Sequence, residues 1–290
     1  MTGKKRKIVE MKKLFLLLSA AAACFSVEAR QLMTDQDKPA SWKGMVKFEP
    51  GAARKKGPCF ILYGRYPTPL IYNKYLPVSP DKTYIYKASF RAFDKKYPAS
   101  AYLGLELYDK NKRLLGFRNV SPMVNTESVV VSANKGDRFM IVKKFPSYDK
   151  IRIAVVAFGV KKDFSDIPNF DLSPQTSAMK ADGKDNVRIE FKAPLKKSYP
   201  AGTAVRLHSP WAPSMYYLVS GWMPAGDGKD FTVKLQGINN KPGTGRDKFW
   251  KGTAYIRPFV WFGNWNRRPG KEAKLLVDGL SLEETEASGK

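Results

Sequence analysis

Residues 83–115 show a clear alternation of apolar and polar positions. The apolar positions of the first half are Tyr84, Tyr86, Ala88 and Phe90, and those of the second half are Ala101, Leu103, Leu105 and Leu107. Successive side chains of a strand point to opposite faces, so this period of two predicts two strands with one face packed on a core. The opposite face of the second strand carries Tyr102, Glu106 and Tyr108. Two tyrosines around a carboxylate can contact a polyhydroxylated ligand if that face is open.

Short segments of the same kind recur along the chain, separated by turns that contain Gly and Pro. The further predicted strands are 45–51, 59–63, 70–77, a hairpin at 128–142, 151–158, 187–192, 203–208, 215–220, 231–236, 254–262 and 274–282. Residues 164–185, rich in Asp, Pro, Ser and Gly, are predicted as a long loop. Apart from the N-terminus, no apolar stripe keeps helical spacing over three turns. The pattern predicts an all-β protein, an antiparallel sandwich or barrel with long Pro/Gly-rich loops.

The N-terminus has the features of an export signal. Lys12 and Lys13 precede an apolar run at 14–23, and small residues end the segment at Ala29. The run is shorter than the roughly 20 residues that span a bilayer. We therefore predict a signal peptide at 1–29, with Met11 as a possible start, and no transmembrane span after its removal. The exported protein would be periplasmic, at the cell surface or secreted, and a lipid anchor at Cys24 is an alternative. A polar lead-in at 30–44 and one domain at 45–286 would follow.

The chain is strongly basic. It has 51 Lys and Arg against 26 Asp and Glu, and removal of residues 1–29 takes away six basic and two acidic residues, which leaves a net charge of +21. Such a surface attracts polyanions. The predicted partner is a glycan or another polyanionic polymer, and export argues against nucleic acid. Cys59 would be the one cysteine of the exported chain, so no internal disulfide can form, and it is predicted to be a small buried residue.

Three stretches resemble a known family. Phe48 and Glu49 stand where a first strand ends, residues 78–92 lead through a turn into a strand with alternating tyrosines, and residues 276–283 form a closing strand with an Asp before alternating aliphatics. In these features the chain resembles the jelly-roll carbohydrate-binding modules, the galactose-binding-like sandwiches of families 4, 9, 16 and 22. The resemblance implies a single jelly-roll β-sandwich that binds glycans. It also implies a structural calcium between the first and last strands, to which Glu49 and Asp278 correspond. Calcium takes about six to eight oxygens, so two carboxylates are only part of a site, and both can also be ordinary surface acids.

Two groups of residues are candidates for glycan binding. The sheet-face group consists of Tyr102, Glu106 and Tyr108 together with Tyr255, Arg257 and Trp261, which share one side of the strand 254–262. The loop group consists of Trp211, Trp265 and Arg267. Aromatic rings stack on sugar rings, and arginine offers a fork of donors. Strand aromatics can instead belong to the core. The loop group requires no assumption about which sheet face is open, and the sequence favours it slightly.

The function predicted from the sequence is exported, non-catalytic carbohydrate binding, with acidic glycans as candidate ligands. One alternative is a structural or self-assembling surface protein. A second is a polysaccharide lyase with His208 and Arg206, or a glycoside hydrolase with two of Glu106, Asp109 and Glu190. Hydrolysis needs two carboxylates about 5 to 10 Å apart, which the spacing of these three does not require. No zinc-ligand spacing, nucleotide loop or serine elbow occurs. The sequence therefore leaves catalysis without support.

Overall fold

The computed structural model of the protein describes residues 29–36, 38–44, 46–48, 59–63, 69–92, 99–211, 215–223, 228–239, 247–263 and 274–286. The strands are β1 Arg30–Gln31, β2 Trp42–Lys43, β3 Val46–Phe48, β4 Phe60–Tyr63, β5 Leu70–Tyr72, β6 Leu76–Pro77, β7 Lys82–Ala92, β8 Ala99–Tyr108, β9 Leu114–Leu115, β10 Ser128–Ser132, β11 Phe139–Lys143, β12 Val155–Phe158, β13 Thr176–Asp182, β14 Asn186–Phe191, β15 Ala204–His208, β16 Met215–Met223, β17 Lys229–Gln236, β18 Tyr255–Gly263 and β19 Lys274–Glu286. Within these residues the one α-helix is α1, Phe117–Val120, and 3₁₀ turns lie at Pro39–Ser41 and Tyr148–Lys150.

Two antiparallel sheets form a sandwich. The β7 sheet has the order β17-β7-β19-β4-β3, with β1 beside β19. The β8 sheet has the order β16-β8-β18-β5-β2, with β6 beside β18 and β9 beside β8. Successive strands change sheets repeatedly along the chain. The all-β class, an antiparallel β-sandwich of the jelly-roll kind, is therefore confirmed.

The core of the sandwich lies between the two sheets. The predicted apolar faces of β7 and β8 meet there, and Tyr86, Phe90 and Leu105 are at most 1% exposed. Full burial of one such side chain stabilises the fold by about 1.5–3 kcal/mol. The polar lead-in at 30–44 also contributes, because Met33 and Trp42 lie in the same core.

A second β structure lies between β9 and β16 in the chain. Its six strands have the order β12-β15-β10-β11-β14-β13. Residues 171–176 lead into the last of these strands and hydrogen-bond to the first, since Phe158 N donates to Asp171 O at 3.0 Å and Ser173 N to Val156 O at 2.8 Å. The sheet thereby closes on itself, and we refer to it as the barrel.

The barrel has its own core. Buried aliphatic and aromatic side chains from its strands form a cluster separate from that of the sandwich, which includes Val130, Met140, Val142, Val187, Ile189, Phe191, Val205 and Leu207. The prediction that 45–286 is one domain stays a prediction, and its test is whether the two cores unfold together.

Several strand predictions are confirmed and one is wrong. The hairpin at 128–142 is the β10–β11 pair. The loop predicted at 164–185 instead contains β13, whose exposed, half-buried and buried residues follow no alternation. The pattern fails there because β13, at the end of the sheet order, has one buried residue, Thr176, and its other residues follow no period of two. Residues 70–77 divide into β5 and β6.

The structure describes Cys59 but almost nothing of the predicted export signal. Cys59 is fully buried against Ile61 and Leu276, as expected for a small apolar residue. The export signal at 1–29 lies almost wholly outside the described residues and stays a prediction. None of the helices in the described ranges is long and apolar enough to cross a membrane.

Candidate functional site

The six predicted sheet-face residues lie side by side on β8 and β18. These strands pair antiparallel without a shift, which places Tyr108 opposite Tyr255, Glu106 opposite Arg257, and Tyr102 opposite Trp261. The alternate residues of both strands, Leu103 and Val260 among them, belong to the sandwich core. Since side chains alternate along a strand, the six residues lie on the face that points away from this core. We call them, with Phe259 between them, the β8–β18 face.

An aromatic cluster stands at one end of the β8–β18 face. The ring of Tyr75, which is 37% exposed, lies 4.8 Å from that of Tyr108 and 6.5 Å from that of Tyr255, both edge-on. The ammonium of Lys112 lies 5.1 Å from the centre of the Tyr75 ring and 5.6 Å from that of Tyr255. A cation over an aromatic ring within about 6 Å is attracted by the ring quadrupole. This end therefore combines ring faces with a positive charge.

A polar pair occupies the middle of the face. Tyr108 donates a 2.6 Å hydrogen bond from its hydroxyl to Glu106 Oε2, and Arg257 Nη1 lies 3.7 Å from the same oxygen. Arg257 Nε also donates to the carbonyl of Tyr72 at 2.8 Å. Burial raises the pKa of Tyr108, and its bond to Glu106 raises it further, so the hydroxyl remains a donor. The hydrogen bonds fix the guanidinium and the carboxylate before any ligand arrives.

A second aromatic pair stands at the other end. The rings of Tyr102 and Trp261 lie 4.7 Å apart at 42°, and both side chains are partly exposed. Between this pair and the polar pair, a Cβ on Gly104 would lie 2.3 Å from the ring of Phe259, so the ring fills the place of a side chain. Trp261 follows Tyr255 by six residues, or about 20 Å along a strand.

Of the three loop candidates, only Trp211 lies within the described residues. Trp211 follows β15 and is 70% exposed. It borders a cavity of about 460 Å³ whose other walls include Ile153, Lys150 and Arg152. Trp265 and Arg267 lie outside the described residues, so their place relative to Trp211 stays a prediction.

Of the two calcium candidates, only Asp278 lies within the described residues. Asp278 lies on β19 opposite Ser89 and is 5% exposed, whereas Glu49 lies outside the described residues. The described parts of the chain hold no group of three or more His, Cys, Asp or Glu suited to a metal ion. Asp278 alone supplies only part of the six to eight oxygens that calcium takes, and the calcium site stays a prediction.

The residues considered for catalysis serve other contacts. His208 and Arg206 are 0% and 1% exposed. Arg206 pairs with Asp166 at 2.9 Å, and His208 Nδ1 lies 2.8 Å from the carbonyl of Arg118. Burial lowers the pKa of His208 to about 4, so the ring is neutral near pH 7. These side chains are closed to a polymer substrate in this conformation.

The three carboxylates considered for hydrolysis are held by different partners. Glu106 belongs to the β8–β18 face, and Asp109 accepts hydrogen bonds from Asn111 N and from Arg113 N and Nε. Glu190 lies in the barrel and pairs with Lys180 at 3.1 Å. Glu190 therefore lies in the barrel, whereas Glu106 and Asp109 lie in the sandwich. The Asp109 carboxylate is already occupied by hydrogen bonds within its own turn.

No protein-family model and no curated protein match the sequence. Among solved structures, the chain is similar to the CBM22-1 xylan-binding domain from Paenibacillus barcinonensis Xyn10C, with 6% identity over 90% of this chain and 96% of that one and a TM-score of 0.36. The chain is also similar to the carbohydrate recognition domain of Emp46p in its potassium-bound form, with 11% identity over 88% and 94% of the two chains and a TM-score of 0.32. Both TM-scores are below 0.5, and neither likeness carries an argument about this chain.

The sequence pattern identified the rows on β8 and β18 but missed residues from the turns. Tyr75 lies between two strands and Lys112 in a turn with a φ of 57°, so neither belongs to an alternating segment. Lys150 lies in a 3₁₀ turn, and Arg152 lies in the predicted strand 151–158 but before β12, which begins only at Val155; the sequence placed neither beside Trp211. Only the chain's path through space brings these side chains to the candidate sites.

Proposed function

We propose that this protein is a non-catalytic glycan-binding protein that holds a polysaccharide chain along the β8–β18 face. The observation that carries the proposal is the order of side chains on that face. Tyr108 and Tyr255 stand at one end, a Glu–Arg pair lies in the middle, and Tyr102 with Trp261 stands at the other end. Rings at both ends with hydrogen-bonding groups between them suit a ligand that has apolar ring faces and hydroxyl edges.

The physical basis of binding would be stacking at the ends and hydrogen bonding at the centre. Tyrosine and tryptophan offer a large apolar area, and little side-chain entropy is lost when they become ordered. Glu106 accepts and Arg257 donates, and both are already oriented by Tyr108 and Tyr72. Because the groups extend over about 20 Å on two rigid strands, the face suits several sugar units of a chain better than a single sugar.

The basic charge supports a narrower proposal, that the glycan is acidic. Lys112 and Arg257 stand on the face with one carboxylate, Glu106, and the whole chain carries a net charge of +25. Lysines and arginines raise the local concentration of an anionic polymer, an effect that salt weakens. Export, which the N-terminal segment predicts, would place such a protein among extracellular or envelope polysaccharides.

Replacing Trp261 with Ala tests the proposal. Loss of one stacking ring should weaken binding to a retained neutral or acidic polysaccharide about tenfold, which corresponds to ~1.4 kcal/mol. Trp261 is partly exposed, so the loss of stability should stay below the ~3–5 kcal/mol of a core tryptophan. Affinity electrophoresis in gels containing each glycan gives the affinity, and thermal unfolding gives the stability.

Trp211→Ala is the matched control, because it removes an indole from a different part of the chain. With a neutral polysaccharide it should behave like the parent protein. Unchanged migration of the Trp261 variant in every gel that retards the parent would contradict the proposal. A parent that no glycan retards, but that forms large assemblies in light scattering, would favour the structural, self-assembling alternative.

A further inference from the structure

A cleft beside Trp211 combines an exposed indole with two cations. The cavity of about 460 Å³ is lined by Trp211, Ile153, Lys150, Arg152, Gln175 and Ser209, among others. Trp211 is 70% exposed and Ile153 is 44% exposed, so two large apolar side chains face solvent next to each other. We call this place the Trp211 cleft. Its walls come from the segment after β15, from the turn before β12 and from the segment that closes the barrel.

The charge of the Trp211 cleft has one sign. No Asp or Glu occurs among its described lining residues. Lys150 and Arg152 are exposed, and neither forms an ion pair with a described acid. Elsewhere in the barrel, by contrast, Lys180 and Lys197 pair with Glu190 and Asp171. The cleft therefore keeps two positive charges available for an anionic group.

The uncharged polar groups of the cleft are mainly donors. Gln175 accepts a 2.9 Å hydrogen bond from Lys192 Nζ through Oε1, which leaves its amide NH₂ to donate. Ser209 contributes a hydroxyl that can donate or accept. A ligand with several oxygen acceptors and a negative charge matches this set, whereas a neutral apolar ligand would leave the cations unused.

We propose that the Trp211 cleft binds a sugar unit that carries a carboxylate or a sulfate. The apolar face of the ring packs on Trp211 and Ile153, the acidic group pairs with Lys150 and Arg152, and the ring hydroxyls meet Gln175 and Ser209. This site is additional to the β8–β18 face, and either can fail while the other stands. It would give the protein a preference for acidic chains that the sheet face alone does not require.

Single-stranded nucleic acid is the competing polyanion, and the geometry favours it less. Proteins that bind it without sequence preference stack successive bases on several aromatic side chains along a positive groove. The described lining of the Trp211 cleft holds one aromatic ring, and its volume is that of a short ligand segment.

The test uses the full chain and four probes in calorimetric titrations: an oligogalacturonate, a heparin-derived sulfated oligosaccharide, a neutral oligoglucoside of similar length and an oligothymidylate. Trp211→Ala should weaken binding of at least one acidic oligosaccharide about tenfold and leave the neutral one unchanged. The double variant Lys150→Ala/Arg152→Ala should do the same and should reduce the salt dependence of the affinity. The two acidic probes distinguish a carboxylate from a sulfate ligand.

The matched control is Lys135→Ala/Lys184→Ala, which removes the same charge from two exposed turns of the barrel that do not line the cleft. The proposal is overturned if this control loses as much affinity as the cleft double variant, since the effect is then bulk charge. It is overturned equally if Trp211→Ala binds the acidic probes like the parent, or if oligothymidylate binds more tightly than both acidic sugars. Trp261→Ala with the neutral probe reports separately on the sheet face.

Discussion

Asp35 shows how one side chain fastens the N-terminal segment to the sandwich. Its carboxylate lies 2.6 Å from Lys74 Nζ and accepts a hydrogen bond from the hydroxyl of Tyr72, whose ring is fully buried. The hydrogen bonds from Lys74 and then Tyr72 outweigh burial and lower the pKa of Asp35 to about 2. Trp42 packs edge-on against the Tyr72 ring at 5.3 Å, so the charged contact and the apolar contact hold the same strand pair.

The lowered pKa of Asp35 predicts an acid-dependent loss of stability. Because the pKa is lower in the folded protein than in the unfolded one, the stabilisation is complete above about pH 4 and is lost as the pH falls towards 2. Lys74 is more than half exposed, so we expect the contribution to be only about 1 kcal/mol. Asp35→Asn should be less stable than the parent by this amount at pH 7, and the difference should vanish near pH 2.

Chemical denaturation across this pH range measures the effect. Asp81→Asn, at an exposed turn, is the control and should follow the parent at every pH. A constant difference between Asp35→Asn and the parent from pH 7 to pH 2 would show that the charge of Asp35 is not the cause.

At the scale of elements, a loop of the barrel is fastened to β15 by a buried charge pair. Arg206 is 1% exposed, donates to Asp166 Oδ2 at 2.9 Å and stacks over the Phe164 ring at 4.5 Å. Asp166 Oδ1 accepts from the backbone N of Lys161 at 3.0 Å. The network joins the turn after β12 to the strand beside β12, and Arg206 Nε also donates to Nε2 of the buried His208 at 3.4 Å.

Breaking the pair from one side should be costly. Asp166→Ala leaves a buried guanidinium without its partner, which typically costs about 3–5 kcal/mol. Replacing both residues, as Asp166→Ala/Arg206→Met, should recover part of this loss because no charge is left buried. Urea unfolding of the two variants and the parent gives the comparison. A double variant less stable than Asp166→Ala would mean that the guanidinium contributes mainly through its stacking and packing.

The alternation of apolar and polar residues predicted several strands of the sandwich and the face on which some candidate site residues lie. The alternation identified β7, β8 and β18 because each has one face in the core, and it placed Tyr102, Glu106 and Tyr108 on the opposite face. It could not give the register that sets Glu106 beside Arg257, since pairing depends on strands far apart in the chain. β13 was missed because its residues show no alternation of apolar and polar positions. The barrel was missed as a separate unit because the apolar alternation of a short strand is the same whether it packs on the barrel core or on the sandwich core.

At the scale of the whole molecule, side chains from the barrel loop and α1 pack into the core of the sandwich. Ile167 belongs to a barrel loop yet is buried in the sandwich core, and Phe164 and Phe170 pack against that core. Phe117 of α1 approaches Trp250 edge-on at 6.2 Å. Apolar contacts across the border couple the folding of the two parts, since each loses buried area when the other unfolds.

We therefore expect the sandwich and the barrel to unfold in one transition. Hydrogen exchange under increasing urea should show the same free energy of opening for β8 in the sandwich and β14 in the barrel. Ile167→Ala should reduce the coupling and separate the two values, whereas Ile153→Ala, at an exposed position of the barrel, should not. Two distinct values already in the parent chain would contradict one domain at 45–286.

The two ends of the barrel segment lie next to each other, which predicts the order in which the parts of the molecule fold. The chain enters at Pro122 and leaves at His208, which form a bridge, and Ser209 N donates to the carbonyl of Ser121 at 2.9 Å. Until the barrel exists, the pairing of β16 with β8 must close a loop that contains all its residues, at a cost that grows with loop length. A barrel that forms first holds the two ends together and makes that closure short. Pulse-labelled refolding should then protect β14 before β16. Synthesis on the ribosome favours the same order, because the barrel strands precede β16 in the chain.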